Sequence, residues 1–156
     1  MPTALIADND PGVRMLLADL VRRAGFVIRA VADGEAARDE LESGSFDLLV
    51  CDLDMPKLSG QQLLRWLAAE PVPPAVVVVS GYVDAKMKED LEQHRCVRSI
   101  LRKPFDIMGF VAMLRTLVVE CGSSRGPEID LAAPTNALPE TSVGAADGAD
   151  PDGPGL

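Results

Sequence analysis

Aromatic residues, histidine and long apolar runs are scarce in this sequence. Trp, Tyr and Phe make up 4% of the 156 residues, so a folded core must consist mainly of Leu, Val, Ile and Ala. No apolar run exceeds five residues, the length of Ala75 to Val79, and such a run is far too short to cross a bilayer. The first residues lack the basic segment, the apolar stretch and the cleavage site of a signal peptide. The sequence therefore predicts neither a membrane-spanning segment nor a signal peptide.

Cysteine and positive charge are also limited. The three cysteines, Cys51, Cys96 and Cys121, form neither a disulfide framework nor a Cys-x-x-Cys pair, so we expect them to be reduced and the protein to be cytoplasmic. Lys and Arg number 15 against 24 Asp and Glu, which gives a net charge of -9. Nucleic acids and anionic membrane surfaces attract clustered Lys and Arg, so this charge balance argues against both as partners.

The composition changes near Gly122. Residues 122–156 contain five Pro, six Gly and six acidic residues against one basic residue, with few large apolar residues. Such a segment cannot bury enough surface to offset the entropy lost on ordering. We therefore predict a folded domain over residues 1–121 and a disordered acidic tail, rich in Pro, Gly and Ala, over residues 122–156.

Strand and helix patterns alternate within residues 1–121. Short apolar segments predict five strands, over residues 4–7, 27–31, 46–51, 75–79 and 97–101. Helical spacing, together with capping and breaking residues, predicts five helices, over residues 11–24, 35–42, 61–69, 84–94 and from 105 or 106 to 121. This alternation predicts an α/β fold in which helices cover both faces of a parallel sheet.

Two sets of residues in the first predicted helix have helical spacing. We expect one set to face the core, namely Val13, Leu16, Leu17, Leu20 and Ala24. We expect the other set to face away from it, namely Met15, Ala18 and Arg22. An exposed Met on this second face would suit adaptable packing against a partner.

Polar residues follow four of the five predicted strands. These are Asp8-Asn9-Asp10, Asp52-Leu53-Asp54, Ser80-Gly81 and Lys103-Pro104. The carboxyl ends of parallel strands meet at the edge of the sheet where such folds bind ligands, so we expect these side chains to converge. Clustered carboxylates need a cation, and oxygen ligands suit Mg²⁺. A carboxylate can also attack phosphorus when a metal and an ammonium neutralise the phosphoryl oxygens.

Four motifs in this order resemble those of two-component response-regulator receivers of the single-domain, CheY-like type. They are Ile6 to Pro11, Cys51 to Pro56 with Gly60 four residues on, Ser80-Gly81, and Lys103-Pro104-Phe105. Each motif alone is weak, whereas all four at the matching strand ends are specific. The resemblance covers about residues 3–121. It implies a flavodoxin-like (βα)5 three-layer sandwich with a five-stranded parallel sheet in the order 2-1-3-4-5.

The resemblance implies a phosphoacceptor and a Mg²⁺ site. Asp52 would accept the phosphoryl group and contribute to the metal site. Asp8 would bind Mg²⁺ directly, and the backbone carbonyl of Asp54 would complete the coordination. Asn9 stands where the family usually has a second acid, and would bind the metal through water with one charge fewer.

The resemblance also implies residues that contact the phosphoryl group or respond to it. Lys103, held by a cis bond to Pro104, would pair with the phosphoryl oxygens, and Ser80 would hydrogen-bond them and pull its loop inward. Ile100 stands where the family usually has Tyr or Phe, so it has no ring to swing into the space that the hydroxyl leaves. Tyr82, like Asp54, lies where it would steer attacking water.

Some of these residues have a second interpretation. Asp10 is either a helix cap or a ligand of a metal-bound water, and Cys51 is predicted to be a buried strand residue. Three basic residues flank the fifth strand, namely Arg95, Arg98 and Arg102. They form either a solvated edge or, with Lys86 and Lys88, a docking face. The Asp52-x-Asp54 pair also resembles the haloacid-dehalogenase phosphatases, but Pro56 stands where that family has Thr or Val.

The main hypothesis is a stand-alone receiver that is not an enzyme, apart from its own phosphorylation and dephosphorylation. A histidine kinase or histidine phosphotransfer protein would supply the phosphoryl group. A downstream protein would bind the face formed by the fourth helix, fifth strand and fifth helix. Asn9 and Ile100 motivate the rival hypothesis, a scaffold of the same fold that acts without phosphorylation. The predicted tail has no room for a helix-turn-helix domain, which argues against a transcription factor.

Overall fold

The computed structural model of the protein describes residues 1–132, with the backbone alone described over 122–132. The five strands are β1 (Thr3–Ala7), β2 (Val27–Val31), β3 (Leu48–Cys51), β4 (Ala75–Ser80) and β5 (Val97–Arg102). The five helices are α1 (Pro11–Ala24), α2 (Gly34–Ser43), α3 (Gly60–Ala68), α4 (Ala85–Glu92) and α5 (Ile107–Ala132). The predicted alternation is confirmed, and only the carboxyl end of α5 differs from its predicted position by more than two residues.

The strands form one parallel sheet in the order β2-β1-β3-β4-β5, which confirms the predicted flavodoxin-like order. The register sets the carboxyl ends of the strands side by side. Ala7 pairs with Cys51, Cys51 pairs with Val78, and Ser80 pairs with Arg102. Residues just beyond these pairs therefore share one edge of the sheet.

The core lies on the three central strands. Every residue of β3 is buried, as are β1 and β4 beyond their first residues, because parallel strands between helix layers are covered on both faces. The outer strands β2 and β5 are more exposed, and Val27 of β2 is 51% exposed. Of the helices described between residues 1 and 132, none combines the length and the apolar character needed to cross a membrane.

The buried face of α1 differs from the predicted one. Leu17, Ala18 and Val21 are buried, whereas Leu16 is 39% exposed. The predictions that Leu16 faces the core and that Ala18 faces away from it are therefore wrong. Leu16 and Leu17 are adjacent and similar in hydrophobicity, so helical spacing alone fits either of two overlapping stripes. The exposed position of Met15 is as predicted.

Helix α5 is longer than predicted. The sequence predicts an end at Cys121 because Gly122 follows, but the backbone remains helical to Ala132. Glycine lowers helix propensity by about 1 kcal/mol without preventing a helix, so Gly122 alone is a weak stop signal. The chain divides into two units, residues 1–119 and 120–156. The predicted disorder of residues 133–156 lies outside the described residues, and the division into a 1–121 domain and a tail stays a prediction.

Candidate functional site

The predicted polar residues lie together at the carboxyl edge of the sheet. Asp8 follows β1, Asp52 follows β3, Ser80 ends β4 and Lys103 follows β5. The last three line a pocket of about 490 Å³, together with Asn9, Asp54, Gln61 and Tyr82 among others. The structure thus brings together the side chains that the strand ends predicted.

The ammonium of Lys103 bridges two carboxylates. Its Nζ lies 2.9 Å from Asp8 Oδ2 and 3.3 Å from Asp52 Oδ2. The Asp8 and Asp52 side chains are 0% and 5% exposed, and that of Lys103 is 21% exposed, so solvent screens these charges weakly. One ammonium offsets only one carboxylate. The three ionised groups therefore keep one uncompensated negative charge, which favours a further cation.

The pKa values of this triad are displaced by burial and by each other's charges. Burial raises the pKa of Asp52, and the charge of Asp8 adds to it, while the Asp54 backbone N–H and Lys103 oppose it without cancelling it. Burial would lower the pKa of Lys103, but its hydrogen bond to Asp8 and the charges of Asp52 and Asp8 raise it above its ordinary value. Lys103 therefore remains an ammonium at neutral pH, able to neutralise a new anionic group.

Asp8 is held by backbone and side-chain donors from the start of α1. The Asp10 N–H donates to Asp8 Oδ1 at 2.9 Å, and Arg14 Nη1 donates to the Asp8 backbone carbonyl at 2.8 Å. Asp10 itself caps α1, because its Oδ1 accepts from the Gly12 and Val13 N–H groups. These contacts support the interpretation of Asp10 as a helix cap.

The loop after β3 folds tightly around Asp52. The Asp54 N–H donates to Asp52 Oδ1 at 3.2 Å, and the Gly60 N–H donates to the Leu53 carbonyl at 3.0 Å. A Cβ at Gly60 would collide with the Asp52 carbonyl oxygen and lie 2.7 Å from Leu53 Cα. Only glycine lets α3 begin this close to the backbone of Asp52.

Ser80 and Lys103 line the same pocket from the ends of β4 and β5. The buried Ser80 hydroxyl donates to the Tyr82 carbonyl at 3.3 Å, within its own loop. The Lys103 N–H donates to the Ser80 carbonyl at 2.9 Å, which ties the two strand ends together. The Lys103–Pro104 peptide bond is cis, as predicted.

The donor set at this edge fits a hard divalent cation. Within residues 1–121, no three His, Cys, Asp or Glu side chains are grouped to hold a metal ion. The predicted set instead combines two carboxylates, Asp8 and Asp52, with the Asn9 amide and the Asp54 carbonyl. Such mixed oxygen donors, completed by water, are typical of Mg²⁺ sites. The uncompensated charge of the triad supplies the electrostatic reason for an ion there.

Four further residues lie near the site. Two of them, Cys51 and Ile100, were named from the sequence, and the other two were missed. Cys51 is buried, as predicted, and burial raises the pKa of its thiol, so it is held as a neutral strand residue. Ile100 is half-buried against the core. Arg14 and Gln61 were missed as site residues. Each lies close after a recognised motif, but their orientation depends on how α1 and α3 pack on the sheet.

Comparisons with known proteins agree with this geometry. The sequence matches the response regulator receiver domain family over residues 4–115. It is 35% identical over 103 residues to the chemotaxis protein CheY of Pseudomonas aeruginosa, covering 65% of this chain and 83% of that protein. It is 31% identical over 122 residues to protein-glutamate methylesterase/protein-glutamine glutaminase 1 of Anaeromyxobacter dehalogenans. That match covers 76% of this chain but 34% of the relative, so the chain spans about a third of that protein's length.

Solved structures show the same architecture. The receiver domain of Francisella response regulator 1452 superimposes with a TM-score of 0.69 and 25% sequence identity, covering 77% of this chain and 98% of that domain.

Proposed function

The chain belongs to the response regulator receiver family, and from this membership we propose that Asp52 accepts a phosphoryl group. Phosphoryl acceptance is general to receiver domains of two-component systems. The observation that carries the assignment to this chain is the position of Lys103 Nζ, within hydrogen-bond distance of both Asp8 and Asp52. An ammonium beside a buried carboxylate is suited to absorb the charge of an incoming phosphoryl group.

The proposed donor is a phosphohistidine of a histidine kinase or a histidine phosphotransfer protein. An Asp52 carboxylate oxygen bonds to phosphorus, and the phosphorus–nitrogen bond breaks with its electron pair returning to the imidazole. The Lys103 ammonium then pairs with the negatively charged phosphoryl oxygens. For Ser80 to donate to the same oxygens, its hydroxyl must leave the Tyr82 carbonyl, which supplies a local movement for signalling.

Receiver domains are generally Mg²⁺-dependent. We propose that Asp8, Asn9, Asp52 and the Asp54 carbonyl hold this ion. Mg²⁺ supplies charge neutralisation at the phosphoryl oxygens when bound. Asp8 is fully buried and its backbone carbonyl accepts from Arg14, so its position beside Lys103 is well defined.

The test is labelling by a small phosphodonor. We expect the full chain to be labelled by acetyl phosphate in the presence of Mg²⁺, and the label to be lost in Asp52→Ala and on chelation of the metal. Asp19→Ala is the control and should keep the label, because it removes a carboxylate that lies outside the pocket and pairs with Arg22 and Arg23. Labelling that persists in Asp52→Ala would overturn the assignment of the phosphoacceptor.

We propose that the receiver is stand-alone and signals through protein–protein contacts, with α4, β5 and α5 forming the face for a downstream partner. The 35% identity to the chemotaxis protein CheY of Pseudomonas aeruginosa, over 83% of that protein, supports this proposal. The rival function, a scaffold that acts without phosphorylation, is favoured by one observation. Ile100 is aliphatic and packs against the core, so it offers no aromatic ring to couple to Ser80.

The two functions differ in their response to a phosphoryl mimic. A receiver that switches should gain thermal stability with Mg²⁺ and beryllofluoride, and the gain should vanish in Asp52→Ala. If beryllofluoride changes neither the melting temperature nor the affinity for a partner, the scaffold function is favoured.

A further inference from the structure

Two adjacent glutamines at the start of α3 have different surroundings. Gln62 takes part in a capping box, because its Oε1 accepts from the Ser59 N–H at 2.9 Å while its own N–H donates to Ser59 Oγ at 3.2 Å. Gln61 instead lines the same pocket as Asp52. Gln61 is half-buried, and within the described residues its side chain makes no hydrogen bond to another residue.

The other polar groups around the pocket are engaged or charged. The Tyr82 hydroxyl faces Asp84 Oδ2 at 3.5 Å, and Asp10 caps α1. Asp54 carries a negative charge that would repel a phosphoryl group. Asn9 belongs to the proposed metal site, and the Ser80 hydroxyl, now bonded to the Tyr82 carbonyl, is assigned to the phosphoryl oxygens. Gln61 is therefore the neutral side chain that can offer both a hydrogen-bond donor and an acceptor to a water in this pocket.

The backbone holds Gln61 in a defined position relative to Asp52. The preceding residue, Gly60, packs directly on the Asp52 carbonyl, and its N–H donates to the Leu53 carbonyl at 3.0 Å. The first turn of α3 therefore packs directly against the backbone of the phosphoacceptor. This close link satisfies the positional requirement for orienting a reactant, because small displacements are costly in rate.

We propose that Gln61 is a positioning residue for the hydrolysis of the phosphoryl group on Asp52, an inference that rests on the proposed function. Its amide carbonyl accepts a hydrogen bond from the attacking water, and its amide N–H donates to a phosphoryl oxygen. The water oxygen bonds to phosphorus, and the bond from phosphorus to the Asp52 oxygen breaks with its electron pair returning to the carboxylate. Both water protons leave with orthophosphate. Glutamine side chains orient water in this way in other phosphoryl-transfer proteins.

The test measures loss of the phosphoryl group separately from its gain. The full chain is labelled with acetyl phosphate and Mg²⁺, the donor is removed by desalting, and the remaining phosphoprotein is followed by intact mass. We expect Gln61→Ala and Gln61→Met to slow the loss on the order of tenfold. Gln62→Ala, the matched control, should keep the wild-type rate of loss, although it loses one side of the capping box.

The methionine variant separates orientation from space filling. Met has a length and a helix propensity similar to those of Gln, so it keeps the volume and removes the amide. A wild-type rate in Gln61→Met would overturn the inference, as would faster loss in Gln61→Ala or equal rates in Gln61→Ala and Gln62→Ala. Equal melting temperatures of wild type and Gln61→Met show that a slower rate reflects the amide. Failure of the wild type to be labelled would overturn the proposed function instead, and this inference with it.

Discussion

Arg14 ties helix α1 to the strand end that carries Asp8, because its Nη1 donates to the Asp8 backbone carbonyl at 2.8 Å. The guanidinium does not touch the Asp8 carboxylate in this contact. It holds the backbone from which that carboxylate reaches Lys103. Residues that orient a metal ligand in this way often matter for metal affinity nearly as much as the ligand itself.

Arg14→Ala should therefore weaken the response of the site to Mg²⁺. We expect the concentration of Mg²⁺ that gives half-maximal labelling by acetyl phosphate to rise about tenfold. Arg23→Ala is the control on the same helix, because Arg23 is exposed and pairs with Asp19 at 3.0 Å. Equal Mg²⁺ dependence in the two variants would contradict the role given to Arg14.

Asp52→Asn should stabilise the fold at neutral pH. Folding raises the pKa of Asp52, so the folded state holds its proton more tightly than the unfolded chain just above the ordinary value of 3.8. The unfolding free energy of the wild type therefore falls as pH rises through that window and stays lower above it. Asn has no such proton, so the advantage of the variant should grow from about pH 3 to about pH 7 in urea unfolding. A pH-independent difference would contradict the burial argument.

Lys103→Met should be destabilising at neutral pH. It keeps the apolar stem but leaves two buried carboxylates facing each other without an ammonium, at a cost of about 3 kcal/mol in unfolding free energy. The cost should shrink in acid, because protonation removes the repulsion. Lys57→Met is the matched control, since Lys57 is exposed and lies 3.7 Å from Asp33, a pair worth less than about 1 kcal/mol. Similar losses in both variants would count against a special role for Lys103 in stability.

Gly60→Ala should destabilise the protein because the new methyl group meets backbone, which cannot rotate away. We expect a loss of about 1–3 kcal/mol in urea unfolding, together with slower labelling of Asp52. Gly81→Ala tests the same exchange in open space, because no atom lies within 4 Å of its added Cβ. That variant should be neutral or stabilised by up to about 1 kcal/mol. A Gly60→Ala protein as stable as Gly81→Ala would show that α3 can move off the Asp52 loop freely.

The sequence was sufficient to predict the sheet and the side chains at its carboxyl edge. Asp8, Asp52, Ser80 and Lys103 each directly follow or end a short apolar strand, so a parallel sheet must bring them together. The same reasoning fails where adjacent residues of a helix could each face the core. Leu16 and Ala18 of α1 exchange places relative to the prediction because adjacent apolar stripes differ little in energy, and tertiary packing selects one.

Two site residues were missed in the sequence for a different reason. Arg14 and Gln61 lie within a turn or two of recognised motifs, but a helical position alone does not say which backbone group or cavity a long side chain meets. Those contacts depend on how each helix sits on the sheet. The end of α5 is a third case, since Gly122 weakens a helix without stopping it.

The close seating of α3 on Asp52 also gives the protein an internal optical reporter. The sole tryptophan of the sequence, Trp66, lies near the other end of that short helix, with the Arg38 guanidinium carbon 5.9 Å from the centre of its ring. A rearrangement at the phosphoacceptor that tilts α3 relative to α2 would change the distance between this cation and the indole. Fluorescence emission from one native side chain can therefore follow events at the opposite end of α3 without an added dye.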